Sequence, residues 1–208
     1  KAAATVDDKP GINAEELLAT AAEYDAFVVR GRTKVTATVI EAATKLKAVG
    51  RAGVGVDNID LAAARAKGVT VVNAPKSTSL AVAELALGMM FAVARRIPFA
   101  DATMKQGQWE KKKLEGIELA GKTLGVIGMG NIGSAVAKRS GALGMTVIGY
   151  DPLVPVDEIA RRGAEPVTLE ALYAGADFIT IHIPLTPESK NMISGQAFGQ
   201  MKRGVRLI

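Results

Sequence analysis

The stretch Thr123-Leu-Gly-Val-Ile-Gly128-Met-Gly130-Asn-Ile-Gly133-Ser-Ala-Val-Ala-Lys-Arg139 decides the fold. It opens as a β-branched run, turns through Gly128-x-Gly130-x-x-Gly133, and continues with helical spacing. In a strand–turn–helix setting each glycine has its own task. The first makes a tight turn, the second lets a pyrophosphate approach bare backbone, and the third lets the helix lie close to the strand. The helix start then offers unpaired N–H groups and the positive end of its dipole.

A glycine pattern alone is a weak signal, because glycines also make plain turns. Here a second strand, Thr146-Val-Ile-Gly-Tyr150, runs into Asp151, which stands 21 residues beyond Gly130. About 20 is the spacing expected of the acid that holds the adenosine ribose hydroxyls. As a purely structural residue Asp151 would cap the turn before Pro152. A 2′-phosphate would be repelled by Asp151, and the nearest Arg along the chain is Arg161, which favours NAD over NADP.

Outward from this unit, short β-branched runs alternate with longer helical stretches. The pattern predicts strands at 26–29, 46–49, 70–73, 123–127, 146–150, 178–183 and 205–208. Helices are predicted at 14–23, 36–44, 61–67, 80–96, 131–143, 156–162, 169–174 and 195–201. Asn13 with Glu16 forms a capping box, and Gly68 and Gly144 stand where helices should stop. Strands alternating with helices place the chain in the α/β class, with parallel sheets covered by helices on both faces. The rhythm breaks once, at Ile97-Pro98 and the polar stretch after it. The expected domain boundary therefore lies there, with 1–97 and 98–208 as the two domains. Segment 98–118 would be either a linker or an arm packing on another subunit, and its lone Trp109 favours some burial.

Composition excludes several classes. The chain has 208 residues, 49% hydrophobic and 23% charged, with no Cys and one His. No disulfide framework, thiolate site or Cys nucleophile is open to it, and a metal site is not expected. The net charge of +5 is mild, and the densest basic run, Lys111-Lys112-Lys113, reads as a solvated face rather than a nucleic-acid stripe. No run reaches the ~18 apolar residues of a membrane span, and the start lacks a signal sequence, so a cytoplasmic protein is expected. The chain opens at Lys1 rather than Met and stops in Val205-Arg-Leu-Ile208, which looks like mid-strand. A piece of a longer protein is expected.

Several blocks, in order, resemble the D-2-hydroxyacid dehydrogenase family. They are Val28-Val-Arg-Gly-Arg-Thr-Lys-Val35, Gly50-Arg-Ala-Gly-Val-Gly-Val-Asp-Asn-Ile-Asp60, Val72-Asn-Ala-Pro75, Ala83-Glu-Leu-Ala-Leu-Gly88, the glycine loop, Tyr150-Asp-Pro152 and Asp177-Phe-Ile-Thr-Ile-His-Ile-Pro-Leu-Thr186. The resemblance covers nearly the whole chain. It implies a Rossmann-type nucleotide domain, truncated at its C-terminal side, plus part of a flavodoxin-like substrate domain. It also implies an NAD-dependent oxidoreductase acting on a D-2-hydroxy acid, foremost 3-phosphoglycerate in serine biosynthesis, and working as a homodimer or tetramer.

Residue by residue, the resemblance implies that Gly53, Val54 and Gly55 present main-chain N–H groups to the substrate carboxylate, while Arg51 reaches a substrate phosphate. Consecutive amides make an anion nest, and glycines clear the approach. Without the family, these residues would be an ordinary βα turn with Arg51 in a surface ion pair. Gly128, Gly130, Asn131, Ile132 and Gly133 would line the coenzyme phosphates. Ile183 and Pro184 would contact ribose and nicotinamide, with Ala74 and Met104 near the nicotinamide end. His182 is read as a packed strand residue outside the family's acid/base position. The catalytic Arg, His and acid of the family are expected beyond Ile208, so this piece should bind NAD without turnover. Two other functions fit the same residues: an NAD(H)-sensing corepressor or scaffold, and a dehydrogenase of glyoxylate, lactate or formate.

Overall fold

The computed structural model describes residues 4–208. Its chain divides into two compact units, the first ending at Thr78 and the second running from Ser79 to Ile208.

The first unit alternates α1 (Ala14–Thr20), β1 (Ala26–Val29), α2 (Ala37–Ala42), β2 (Ala48–Arg51), α3 (Leu61–Ala66) and β3 (Thr70–Asn73). Its three strands pair in parallel in the order β1-β2-β3. Polar caps start the helices where the sequence places them. Asn13 Oδ1 accepts from the Glu16 N–H at 2.8 Å, and Asp60 Oδ1 from the Ala63 N–H at 2.9 Å. Gly68, at φ +73°, ends α3 as a helix stop should. The core gathers Val35, Ile40 and Val49, all fully buried.

The second unit begins with α4 (Ser79–Arg95) and α5 (Ile97–Lys105). It continues through β4 (Thr123–Ile127), α6 (Asn131–Ala142), β5 (Thr146–Tyr150), α7 (Val156–Arg161) and β6 (Glu165–Pro166). It closes with α8 (Leu169–Gly175), β7 (Phe178–Ile181), α9 (Gly195–Gln200) and β8 (Arg206–Leu207). The parallel sheet has the order β6-β5-β4-β7-β8. From β4 the chain winds to one side through β5 and β6, then returns to the other side through β7 and β8. The doubly wound α/β sheet expected from the sequence is therefore the observed fold. Strand order reverses beside β4, and in open sheets of this kind ligands bind outside the carboxyl ends at that point. One face of the sheet buries Leu124, Val126 and Phe178, the other Ile127, Ile148 and Ile179.

The unit boundary falls well before the junction expected near Pro98. The reason is α4, whose Ala83, Ala86, Met90 and Ala94 repeat at helical spacing and join the core of the second sheet beside Val136 of α6. Segment 98–118 also differs from a plain linker. Pro98 lies in the first turn of α5, where a missing N–H costs little. Arg96, in the left-handed conformation at φ 54°, makes the break between α4 and α5. The chain then returns to α4: Arg96 Nη1 donates to the Lys113 carbonyl at 2.6 Å, and the Ile117 N–H donates to the Ala94 carbonyl at 2.9 Å. Trp109 is 77% exposed within the chain, against the burial expected of it.

Two strands are displaced from their expected ranges. β2 runs two residues later, which puts Arg51 on the strand end itself. β7 stops at Ile181, although the His182 N–H still donates to the Ile127 carbonyl at 2.8 Å. Among the described residues no helix is long and apolar enough to cross a membrane.

Candidate functional site

Register brings the key residues of the second unit together. Ile127 pairs with Tyr150 on one side and with Ile181 on the other. Gly128, Asp151 and His182 therefore emerge side by side at the carboxyl ends of β4, β5 and β7. The Gly128 N–H donates to the Tyr150 carbonyl at 2.8 Å, which pins the start of the turn.

The three loop glycines have different surroundings. Gly128 is buried at φ +92°, and a Cβ there would meet the His182 carbonyl and Ile183 Cγ2, both at 2.6 Å. At Gly133 a Cβ would lie 1.9 Å from the Gly128 carbonyl, so only glycine lets α6 approach β4 this closely. Gly130 is exposed, and a Cβ there would meet nothing within 4 Å. Two glycines thus serve packing, and the third leaves bare backbone facing open space. Gly130 is also the N-cap of the twelve-residue helix α6, whose first residues are the exposed Asn131 and the half-buried Ile132.

Between the glycines, Met129 is held from every side. Its side chain is fully buried. Its N–H donates to Asp151 Oδ2 at 2.8 Å. Its carbonyl accepts from Arg162 Nη1 at 2.6 Å and from Ser134 Oγ at 3.2 Å. The second Asp151 oxygen accepts the Leu153 N–H at 2.9 Å. A carboxylate carries about four acceptor positions, so Asp151 keeps capacity for further donors. The spacing singled out Asp151, but not that it fastens the loop.

Past β7, half-buried Ile183 lies against Gly128, while Pro184 is exposed and its carbonyl accepts from Ser189 Oγ at 2.8 Å. The His182 ring is hydrogen-bonded through Nε2 to the buried Thr180 hydroxyl at 2.9 Å. Burial pushes its pKa below the ordinary imidazole value of 6.5, so the ring is neutral near pH 7. The ring is partly packed, but His182 stands one residue past the end of β7 rather than within the strand expected from the sequence. Met104 lies on α5, 53% exposed, and its carbonyl accepts the Gly107 N–H at 3.0 Å.

In the first unit, polar groups gather at the carboxyl ends of β1, β2 and β3. Arg51 folds back over its own turn: a Cβ at Gly53 would fall 1.4 Å from Arg51 Nη1, so any side chain there would displace the guanidinium. Arg51 Nη2 lies 3.2 Å from the Cβ position of Gly31, which stands between Arg30 and Arg32. The Arg51 Nε is buried without a hydrogen-bond partner. Asn73 Nδ2 donates to the Val54 carbonyl at 2.6 Å, and the Ala74 N–H to the Gly53 carbonyl at 3.0 Å. Those bonds fix the Gly53–Gly55 turn, and they place Ala74 directly beside it. The sequence alone did not show that Gly31 and Asn73 are neighbours of Arg51. An Arg-Gly-Arg immediately after a strand was the available signal.

A doubly wound parallel sheet with a glycine loop at its switch point and an acid ending the next strand defines a nucleotide-binding domain of Rossmann type. Residues 87–208 match the family model described as D-isomer specific 2-hydroxyacid dehydrogenase, NAD binding domain, and the chain belongs to that family. It is 50% identical over 204 residues to D-3-phosphoglycerate dehydrogenase of Methanocaldococcus jannaschii, covering 98% of this chain and 39% of that protein. The same-named human protein is 48% identical over 203 residues, covering 98% and 38%. Among solved structures, the TT0316 protein of Thermus thermophilus aligns with a TM-score of 0.84 at 35% identity, covering 94% of this chain and 62% of that one. The D-lactate dehydrogenase of Aquifex aeolicus complexed with NAD and lactic acid aligns with a TM-score of 0.80 at 30% identity, covering 91% and 57%. The chain spans about two fifths of the length of the curated relatives it matches.

Proposed function

We propose that this chain supplies the coenzyme site and part of the substrate site of an NAD-dependent dehydrogenase that oxidises the 2-hydroxyl of 3-phosphoglycerate. The observation that carries the reading is the division of labour among the loop glycines: Gly128 and Gly133 are needed for packing, and Gly130 alone opens bare backbone to solvent. That opening suits a diphosphate, and an acid at the end of β5 suits a ribose diol. The residues present therefore fit the coenzyme.

NAD, when bound, supplies the hydride acceptor. The chain's own groups bind and orient. Main-chain N–H groups of Gly130, Asn131 and Ile132 and the start of α6 hold the diphosphate. Asp151 accepts from the ribose hydroxyls, Ile183 and Pro184 flank the ribose and nicotinamide, and Ala74 and Met104 serve the nicotinamide end. The turn Gly53-Val54-Gly55 holds the acid's carboxylate through its amides. Arg51 holds the phosphate, and its buried unpartnered Nε favours an anionic ligand. His182 is given no proton-transfer role: its Nε2 is bonded to the buried Thr180 hydroxyl and its ring is half-buried. Residues 1–97 belong functionally to substrate binding and 98–208 to coenzyme binding, with α4 linking the two roles.

The macromolecular partner is a second copy of this chain. The second unit exposes Met89, Val93, Ile97 and Trp109 by 46%, 48%, 49% and 77%, an apolar set that solvent disfavours. Light scattering of the full-length protein at micromolar concentration should give a dimer or larger, and a monomer rejects this partner.

Calorimetric titration of the full-length protein with NADH and NADPH tests the central reading. Tight binding of NADH with much weaker NADPH is expected, and no affinity for NADH rejects it. Oxidation of 3-phosphoglycerate in preference to lactate, glycolate or formate tests the substrate. Failure to turn over any 2-hydroxy acid despite NADH binding would instead mark a coenzyme-sensing scaffold.

A further inference from the structure

We infer that Arg162 is a positioning residue of the glycine loop, aiming the Gly130 N–H at an anionic diphosphate; this rests on the coenzyme reading above. Arg162 lies at the end of α7, on the far side of β5 in sequence, 33 residues from its partner Met129. Its Nη1 donates to the Met129 carbonyl at 2.6 Å, a short charge-assisted bond. Its Nε donates to Glu158 Oε1 at 2.8 Å, four residues back on the same helix, which fixes the guanidinium plane. The side chains of Arg162 and Glu158 are only 33% and 30% exposed, so this bond is less screened than a surface pair.

The consequence follows from peptide geometry. The Met129 carbonyl and the Gly130 N–H belong to one planar trans unit and point in opposite directions. Whatever holds the carbonyl therefore sets the direction of the N–H. Asp151 fixes the peptide on the other side of Met129, through its N–H at 2.8 Å. Asp151 on one side, and Arg162 with a longer bond from Ser134 Oγ at 3.2 Å on the other, determine both peptide planes that meet at Met129, and its buried side chain forbids rotation of the residue as a whole. The guanidinium also places a positive charge at the carbonyl end of this peptide, which polarises it and strengthens the N–H that faces the anion. Both effects favour a ligand carrying a diphosphate, and neither depends on which base or sugar the ligand bears.

Full-length protein is titrated with NADH and with ADP, the smaller diphosphate probe, and hydrogen exchange of the loop amides is followed in parallel. In Arg162→Met, which keeps the apolar stem, both ligands should bind about tenfold more weakly, the cost of one charge-assisted bond. Exchange at Met129, whose N–H is bonded to Asp151, should accelerate while exchange in β4 does not. Arg162→Lys should recover part of the lost affinity, a rescue that a merely structural role would not give. Should Arg162→Met fail to fold, Glu158→Gln loosens the guanidinium without removing it, and about threefold weaker binding of both probes is expected. Wild-type affinity in Arg162→Met, or in Glu158→Gln where only that variant folds, overturns the positioning role and leaves the coenzyme site intact. Absence of binding by the wild-type protein overturns both.

Discussion

The Asp151 carboxylate accepts the Met129 N–H at 2.8 Å, so the acid that ends β5 is bonded to the glycine loop it faces. An acid in this position is thus part of the loop's framework as well as a group for a ribose. Removing it should therefore disturb both coenzyme choice and loop order. Asp151→Ala should weaken NADH about tenfold, as expected for losing hydrogen bonds to a charged group, and narrow the gap to NADPH. Fluorescence titration with both coenzymes checks this. An unchanged preference would remove Asp151 from recognition.

Gly130 and Gly133 should respond oppositely to the same methyl group. Gly133→Ala places a Cβ 1.9 Å from the Gly128 carbonyl, and the resulting overpacking should cost about 3 kcal/mol of stability. Gly130→Ala meets nothing within 4 Å and should leave stability within about 0.5 kcal/mol of wild type, while weakening NADH at least tenfold. Denaturant unfolding and calorimetry on both variants separate the two outcomes.

In the full-length protein, Arg51→Met should act on a phosphorylated substrate selectively. With 3-phosphoglycerate, kcat/KM should fall by about ten- to a hundredfold, the range of one lost charged hydrogen bond. With an unphosphorylated 2-hydroxy acid the ratio should scarcely change. Equal losses on both substrates would assign Arg51 to the carboxylate instead.

His182 makes stability depend on pH. Burial lowers its pKa in the folded state below the ordinary 6.5, so the unfolded chain binds the proton more readily. The contribution is fully present above pH 6.5 and is lost as pH falls through the folded-state value. Urea unfolding at pH 7.5 and pH 5 should show wild type losing more stability than His182→Gln, which keeps a partner for Thr180. Identical losses would contradict the burial effect.

Short-range features were legible in the sequence because they depend on a few consecutive backbone angles. The strand–turn–helix at 123–139, the cap at Asn13, and the helix stops at Gly68 and Gly144 are all of this kind. So was Asp151, since parallel pairing of adjacent strands of equal length puts their ends level. Arg162 was not. It stands close to Asp151 in sequence, yet its bond to the Met129 carbonyl depends on where α7 packs, not on any local pattern. Likewise, the neighbourhood of Arg51 and the Arg30-Gly-Arg32 turn requires β1 and β2 to lie side by side.

By itself the sequence determined the α/β class, the glycine loop and the acid paired with it, because periodicity and turn chemistry are written in neighbouring residues. Only the tertiary structure decided that the unit boundary falls at Thr78, that Met129 is clamped from both sides, and that Arg51 meets Gly31 in the turn after β1. Those outcomes come from how whole helices and strands pack, where small residues such as Ala83 and Ala86 commit α4 to one core through contacts far apart along the chain.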